Sequence, residues 1–286
     1  MELEQFLYRE HIEEELEFSR VYRYLDKYLN EKIFEITEIP YLKPVKQNKT
    51  VWVFWMQGME NAPSLVRTCY DSVCRNIPQG YDVVLLSENN LKEYISLPQF
   101  IWDKYERGCI STTHLSDIIR IELLCTYGGC WVDATVFCSG PVPEYMVSGE
   151  MFLFKDTIME KLVIKMSSWW LYAEKTNRLM HAMRNMLYAF WEQEEDVQNY
   201  YLFHIMMSRI VDADAECGRI FYEIPYVDNS TPHILFGRLG REFQKRDWEI
   251  LRNNTPVHKL SYKWRFLRGD IDSYYQAFLQ GRLSQR

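Results

Sequence analysis

Apolar residues recur at three- and four-residue steps through Leu115, Ile118, Ile119, Leu123 and Leu124, the spacing of one buried helix face. The predicted helix ends at Gly128-Gly129, a pair that takes positive φ at no steric cost. Cys130, Trp131 and Val132 then read as a short buried strand that stops at an isolated acid, Asp133. Earlier in the chain, residues 50–55 gather β-branched and aromatic side chains as a first buried strand. A helix opened by Pro63 follows at about 62–75, and a second strand at 81–87 completes a β-α-β start that implies a parallel sheet. Two short helices around 89–107 lead into the helix of 111–127. Residues 151–154 and part of 162–172 read as strands, and 176–193 and 197–211 as helices. Beyond Pro225 the periodicity fades until a short helix at about 270–283.

Residues 1–35 read as one or two charged amphipathic helices with Leu16, Tyr24, Leu25, Tyr28 and Leu29 as contacts. A proline-punctuated stretch, IPYLKP at 39–44, separates them from the rest. The expected organisation is an N-terminal helical extension over 1–44, an α/β domain over 45–268, and a C-terminal helix over 269–286.

The chemistry concentrates where the predicted helix runs into the strand. Asp117 and Arg120, three apart, project together from that helix. Asp133 emerges at the strand's carboxyl end, where ligands collect in open α/β sheets. An acid there, beside an Asp/Arg pair, is arranged like a site for a charged, hydroxyl-rich ligand.

SDxxR (Ser116 to Arg120), a glycine pair and a hydrophobic strand ending in Asp resemble the signature of glycosyltransferase family 32, closest to its capsular polysaccharide synthesis branch. TVWVFWMQG at 50–58, HKLSYK at 258–263 and the tyrosine-rich YYLFHIMMSRI at 200–210 are similar to that branch as well, so the likeness spans roughly residues 45–265 in order. The resemblance implies that residues 45–268 are a catalytic domain of Rossmann-like GT-A fold with a mixed central sheet flanked by helices. It also implies a nucleotide-sugar donor, a divalent metal and retaining transfer to a hydroxyl. It implies that Trp55 flanks a uracil-like base, with Gln57 and Gly58 in the same loop. Ser116, Asp117 and Arg120 would hold the donor sugar, and Lys259 and Lys263 the diphosphate. Asp133 would serve as ribose or metal ligand, with Thr135 and His258 completing the shell of Mn²⁺ or Mg²⁺, and Asp117, Arg120 and Asp133 would form the catalytic set. The wider family has Asp-x-Asp where this chain has Asp133-Ala134-Thr135, which replaces a carboxylate by a neutral hydroxyl at a site for a hard cation. Tyr200, Tyr201 and His204 are candidates for the acceptor side, or for a helix that simply packs.

Composition narrows the field. The chain of 286 residues carries a net charge of −7, which argues against a nucleic-acid binder. Residues 238–268 run against that balance, with nine Lys/Arg to three Asp/Glu, a face suited to a diphosphate or an anionic membrane. Seven cysteines form no CxxC pair and suit reduced, buried thiols. No GxGxxG or P-loop pattern is present, which lowers dehydrogenase and kinase readings. No run of about 18 apolar residues and no signal-peptide pattern occurs, so the expected location is cytoplasmic, peripheral to the inner face of the plasma membrane.

The resulting expectation is a retaining hexosyltransferase. It moves glucose or galactose from a UDP-sugar to a hydroxyl of a lipid-diphosphate-linked saccharide in surface polysaccharide synthesis. The alternatives are a transferase acting on lipopolysaccharide or protein, and a catalytically silent nucleotide-sugar-binding assembly subunit, motivated by the missing second Asp.

Overall fold

The two strands predicted first lie side by side in a five-stranded sheet. The computed structural model describes residues 2–156, 162–263 and 272–284. Helix α1 (Glu2–Tyr24) precedes strand β1 (Thr50–Phe54), helix α2 (Ser64–Asn76), strand β2 (Asp82–Leu86), helix α3 (Gln99–Glu106), helix α4 (Thr112–Tyr127) and strand β3 (Gly129–Val132). Strands β4 (Val136–Cys138), β5 (Met151–Lys155) and β6 (Met166–Ala173) follow, then helices α5 (Arg178–Gln193), α6 (Leu202–Ala213), α7 (Ala215–Glu223), α8 (Ser230–Arg238) and α9 (Lys245–Asn254). Strand β7 (Val257–Lys259) and helix α10 (Tyr274–Leu279) complete the described chain.

The sheet order is β2-β1-β3-β6-β5. Strand β1 is parallel to β2 and β3, whereas β6 is antiparallel to β3 and β5. Strands β4 and β7 form a separate antiparallel ribbon. A mixed sheet flanked by helices is the Rossmann-like architecture expected of a GT-A fold. Among the described residues no helix is long and apolar enough to cross a membrane.

Strand β1, TVWVF, is buried at every position, as a parallel strand covered on both faces requires. Trp52 at its centre donates its indole N–H to the Gly128 carbonyl at 3.0 Å. Gly128 ends α4 with φ 69°, and Gly129 opens β3 with φ 100°. A Cβ on Gly129 would stand 2.2 Å from the Thr50 carbonyl oxygen, so close strand approach demands glycine there as much as the turn does.

Helix α4 departs from the one-face expectation. Asp117, Arg120 and Glu122 are buried along with the apolar positions, because α5 packs along the helix and Phe203 of α6 lies over Arg120. Glu122 is satisfied there by Arg184 Nε at 2.5 Å and by the Tyr188 hydroxyl at 2.7 Å.

The N-terminal contacts also differ. Phe18, Val21, Leu25 and Tyr28 are buried, whereas Leu16 and Tyr24 are exposed. Among the described side chains of α1 the buried positions are Glu15, Phe18 and Val21, a stripe that leaves Leu16 facing outward. A short 3-10 turn, Leu25–Tyr28, then carries Tyr28 and Lys27 to Glu194 just past α5. After Pro225 the structure holds α8, α9 and β7, which sequence periodicity does not reveal. The buried residues of α9 are Trp248 and Leu251 alone, too few to signal a helix. The C-terminal helix narrows to Tyr274–Leu279; the expected boundary at 268/269 and the end of the basic stretch fall outside the described residues. All seven cysteines are unpaired, and Cys69, Cys125, Cys130, Cys138 and Cys217 are buried.

Candidate active site

A cavity of about 490 Å³ opens at the carboxyl ends of β1 and β3. The end of β1 contributes Phe54, Trp55, Met56 and Gln57, and the first turns of α4 contribute Thr112, Thr113, Ser116 and Arg120. The end of β3 adds Trp131, Asp133, Ala134 and Thr135, and the segment from β7 adds Lys259, Leu260, Ser261, Tyr262 and Lys263. Tyr200, His233 and Phe236 complete the wall.

Asp133 stands at the centre of the charged groups. Its backbone N–H donates to the Trp169 carbonyl at 2.9 Å, and its own carbonyl accepts from Val136 N–H at 2.9 Å, so the β3–β4 turn fixes it. Its Oδ1 accepts from Arg120 Nη2 at 3.1 Å and from the Trp131 indole N–H at 2.8 Å. Lys259 Nζ lies 3.0 Å from Oδ2. Burial works to raise the Asp133 pKa, but Lys259 and Arg120 outweigh it and hold the carboxyl below its ordinary range. Asp133 is therefore ionised at neutral pH.

Arg120 is the structural hinge of the group. Its Nη1 donates to Asp117 Oδ1 at 2.6 Å while Nη2 reaches Asp133. The guanidinium lies over the Trp131 ring at 5.0 Å and the Phe203 ring at 5.2 Å, so aromatic faces from β3 and α6 flank it. Asp117 does not line the cavity; it sits behind Arg120. Burial there raises its pKa, opposed by Arg120 and His114.

The β4–β7 ribbon delivers Lys259. Val136 pairs with Lys259 and Phe137 with His258, and Leu260 N–H donates to the Thr135 carbonyl at 3.0 Å. Lys259 Nζ consequently reaches Thr135 Oγ1 at 2.6 Å. Side chains alternate along a strand, so the neighbouring His258 points the opposite way. It is fully buried between Phe137 and Trp248, ring centroids 5.9 and 5.3 Å away, with Nε2 2.9 Å from Ser139 Oγ. Burial lowers its pKa to about 3.

The expected metal set of Asp133, Thr135 and His258 is thus not brought together. The residues present do not fit a divalent-cation site: His258 faces the core, Thr135 already accepts from an ammonium, and two cations flank the single carboxylate. Among the described residues no three His, Cys, Asp or Glu side chains form a group suited to a metal ion.

On the opposite wall Trp55 meets Tyr262 edge-on, with ring centroids 5.1 Å apart. Its indole N–H is buried without a hydrogen-bond partner among the described residues. Gln57 and Lys263 line the cavity, with Lys263 exposed at its rim. Tyr200 and Tyr201 precede α6 rather than sitting within it. Tyr200 reaches the cavity, whereas Tyr201 packs on Phe18 of α1 at 5.3 Å, and His204 lies outside the lining. Sequence reasoning missed Thr112 and Thr113, a turn before the recognised helix motif, and His233 and Phe236, which sit on the unanticipated α8. Tyr262 was within reach, inside the recognised HKLSYK segment.

The family described as capsular polysaccharide synthesis protein matches residues 4–278. The chain belongs to that family. Three curated fungal relatives are similar over shorter stretches. The glycosyltransferase afumC of Aspergillus fumigatus is 31% identical over 108 residues, which is 34% of this chain and 28% of the relative. The O-glycosyltransferase PaGT of Phomopsis amygdali is 29% identical over 101 residues, 32% of this chain and 25% of the relative. The O-glycosyltransferase braB of Annulohypoxylon truncatum is 31% identical over 102 residues, 33% of this chain and 24% of the relative. The chain thus spans about a quarter of the length of the curated relatives it matches. No solved structure matches it significantly.

Proposed function

We propose that this chain is a glycosyltransferase of the family 32 kind, which moves a hexose from a UDP-sugar to a hydroxyl group. The observation that carries the reading is one cavity in which Asp133, Arg120 and Lys259 meet at the end of β3 while Trp55 faces them from the end of β1. The names of the family and of the fungal relatives support sugar transfer.

In this reading Trp55 flanks the uracil base and offers its unpartnered N–H, and Gln57 closes the same edge. Asp133 accepts from donor hydroxyls with the lone pairs that its present partners leave over. Ser116 and Arg120 hold the sugar, and Asp117 keeps Arg120 in place. Lys259 and Lys263 meet the diphosphate, whose charge grows as it leaves. The acceptor oxygen attacks C1 on the face from which the diphosphate departs. The C1–O bond breaks with its electron pair passing to a β-phosphate oxygen, which takes the acceptor's proton, and the anomeric configuration is retained. The sugar is glucose or galactose and the acceptor a lipid-diphosphate-linked saccharide of surface polysaccharide synthesis. The protein meets that acceptor at the cytoplasmic face of the membrane, where exposed Arg241, Lys245 and Arg246 favour anionic lipid.

The test is a thermal-shift panel of nucleotide sugars followed by UDP release with candidate acceptors. One UDP-sugar should raise the melting temperature and be turned over. Binding without release, acceptors included, would favour the silent-subunit reading, and no response to any nucleotide would overturn the proposal.

A further inference from the structure

Lys259 fills the place between Asp133 and Thr135 in which the family resemblance puts a divalent cation. Its ammonium lies 3.0 Å from Asp133 Oδ2 and donates to Thr135 Oγ1 at 2.6 Å. The position is built rather than incidental. The Val136–Lys259 pairing and the bond from Leu260 N–H to the Thr135 carbonyl fix the backbone on both sides of the ammonium's acceptors.

The donor set gives a cation little to bind. Mg²⁺ and Mn²⁺ want several oxygen ligands, preferably anionic. Asp133 offers one carboxylate whose charge Arg120 and Lys259 already balance, and Thr135 offers a hydroxyl occupied by the ammonium. His258, which would complete the shell, is turned into the core against Phe137 and Trp248. A lysine ammonium carries three N–H donors, and Asp133 and Thr135 take two of them. The third is left for the cavity that Lys259 lines. That geometry suits a phosphate oxygen, which an ammonium meets as a compact point charge.

We propose that Lys259 replaces the divalent cation, so that the chain holds and releases the donor's diphosphate without metal. The inference rests on the nucleotide-sugar reading of this cavity. As the C1–O bond of the donor breaks, its electron pair moves onto the β-phosphate oxygen beside the ammonium. Lys259 serves as a fixed charge, and Thr135 and Asp133 aim it.

The experiment is calorimetric titration of UDP into the full chain, once after exhaustive EDTA dialysis and once with Mn²⁺ present. Mn²⁺ alone is followed in parallel by water-proton relaxation. The expected result is one UDP affinity under both conditions, with no ordered Mn²⁺. Lys259→Met should weaken UDP by about tenfold or more, and Lys259→Arg should recover much of the loss, as expected for a charge-assisted contact. UDP binding that appears only with Mn²⁺ would overturn the inference while leaving the donor reading intact. UDP binding under neither condition would overturn both. The comparison on the unmodified chain stands even where a variant folds poorly.

Discussion

Arg120 and Asp133, thirteen residues apart in sequence, meet across 3.1 Å, and the same guanidinium holds Asp117 at 2.6 Å. The Asp/Arg pair of α4 is therefore part of a three-residue bridge in which one oxygen of Asp117 is committed to positioning. Arg120→Ala would leave Asp117 buried without its cation, at a cost of about 3–5 kcal/mol. Arg120→Lys keeps the charge but cannot span both carboxylates or lie flat between Trp131 and Phe203. It should cut turnover about 100-fold, comparable to loss of one preorganised donor, with a smaller stability loss. Urea unfolding and UDP release measure the two effects, and a folded Arg120→Lys protein with undiminished turnover would refute the bridge's role.

His258 predicts a pH signature of stability rather than of metal binding. Its pKa is lowered to about 3 by burial, against about 6.5 in an unfolded chain. Between those values unfolding takes up a proton, so stability present above 6.5 is lost as pH falls towards 3. His258→Gln should remove a slope of about 1.4 kcal/mol per pH unit from the stability profile between pH 4.5 and 6, read by urea unfolding. Parallel profiles for the two proteins would contradict the buried neutral ring.

Glu194 ties the N-terminal segment to α5. Its Oε1 accepts from Tyr28 at 2.5 Å, and from Tyr24 and Lys27 at 2.6 Å each. Burial works to raise its pKa, but these donors lower it to about 2. A depressed carboxyl stabilises the fold above its unfolded pKa and loses that contribution as pH falls. Glu194→Gln should cost about 1–2 kcal/mol, since hydrogen bonds to a charged acceptor weaken to neutral ones. Limited proteolysis should then cut within residues 1–35 sooner; unchanged cleavage would show that apolar packing alone retains the segment.

Gly129→Ala should cost about 3 kcal/mol or more, because a Cβ would meet the Thr50 carbonyl at 2.2 Å with φ at 100°. Gly80, with φ at 91° and open space around its absent Cβ, is the control and should lose only about 1–2 kcal/mol as alanine. Equal denaturation midpoints for the two variants would mean that strain, and not the β1–β3 approach, governs both.

The sheet's parallel core was legible because β1 and β2 are short apolar runs joined by a helix opened by proline, and β3 follows a helix closed by glycine. The convergence of Arg120 and Asp133 was legible too, since a helix, a glycine pair and a strand end leave them few other places. What stayed hidden depends on pairing across long distances. Strand β7 has three residues and exists by its register with β4, so nothing local says that Lys259 faces the cavity while His258 faces the core. Residues 230–238 have little periodicity, so the wall formed by His233 and Phe236 went unforeseen. The burial of Arg120 and Glu122 likewise follows from Phe203 of α6 and from α5 packing on α4, which the helix's own spacing does not record.

The most direct measurement is UDP release from the preferred UDP-sugar by the wild-type chain and by Asp133→Asn, with folding checked by circular dichroism. The account predicts a folded variant with release reduced about 100-fold or more, since the ionised acid between Arg120 and Lys259 organises the site. Wild-type release from folded Asp133→Asn would place the chemistry elsewhere and contradict it.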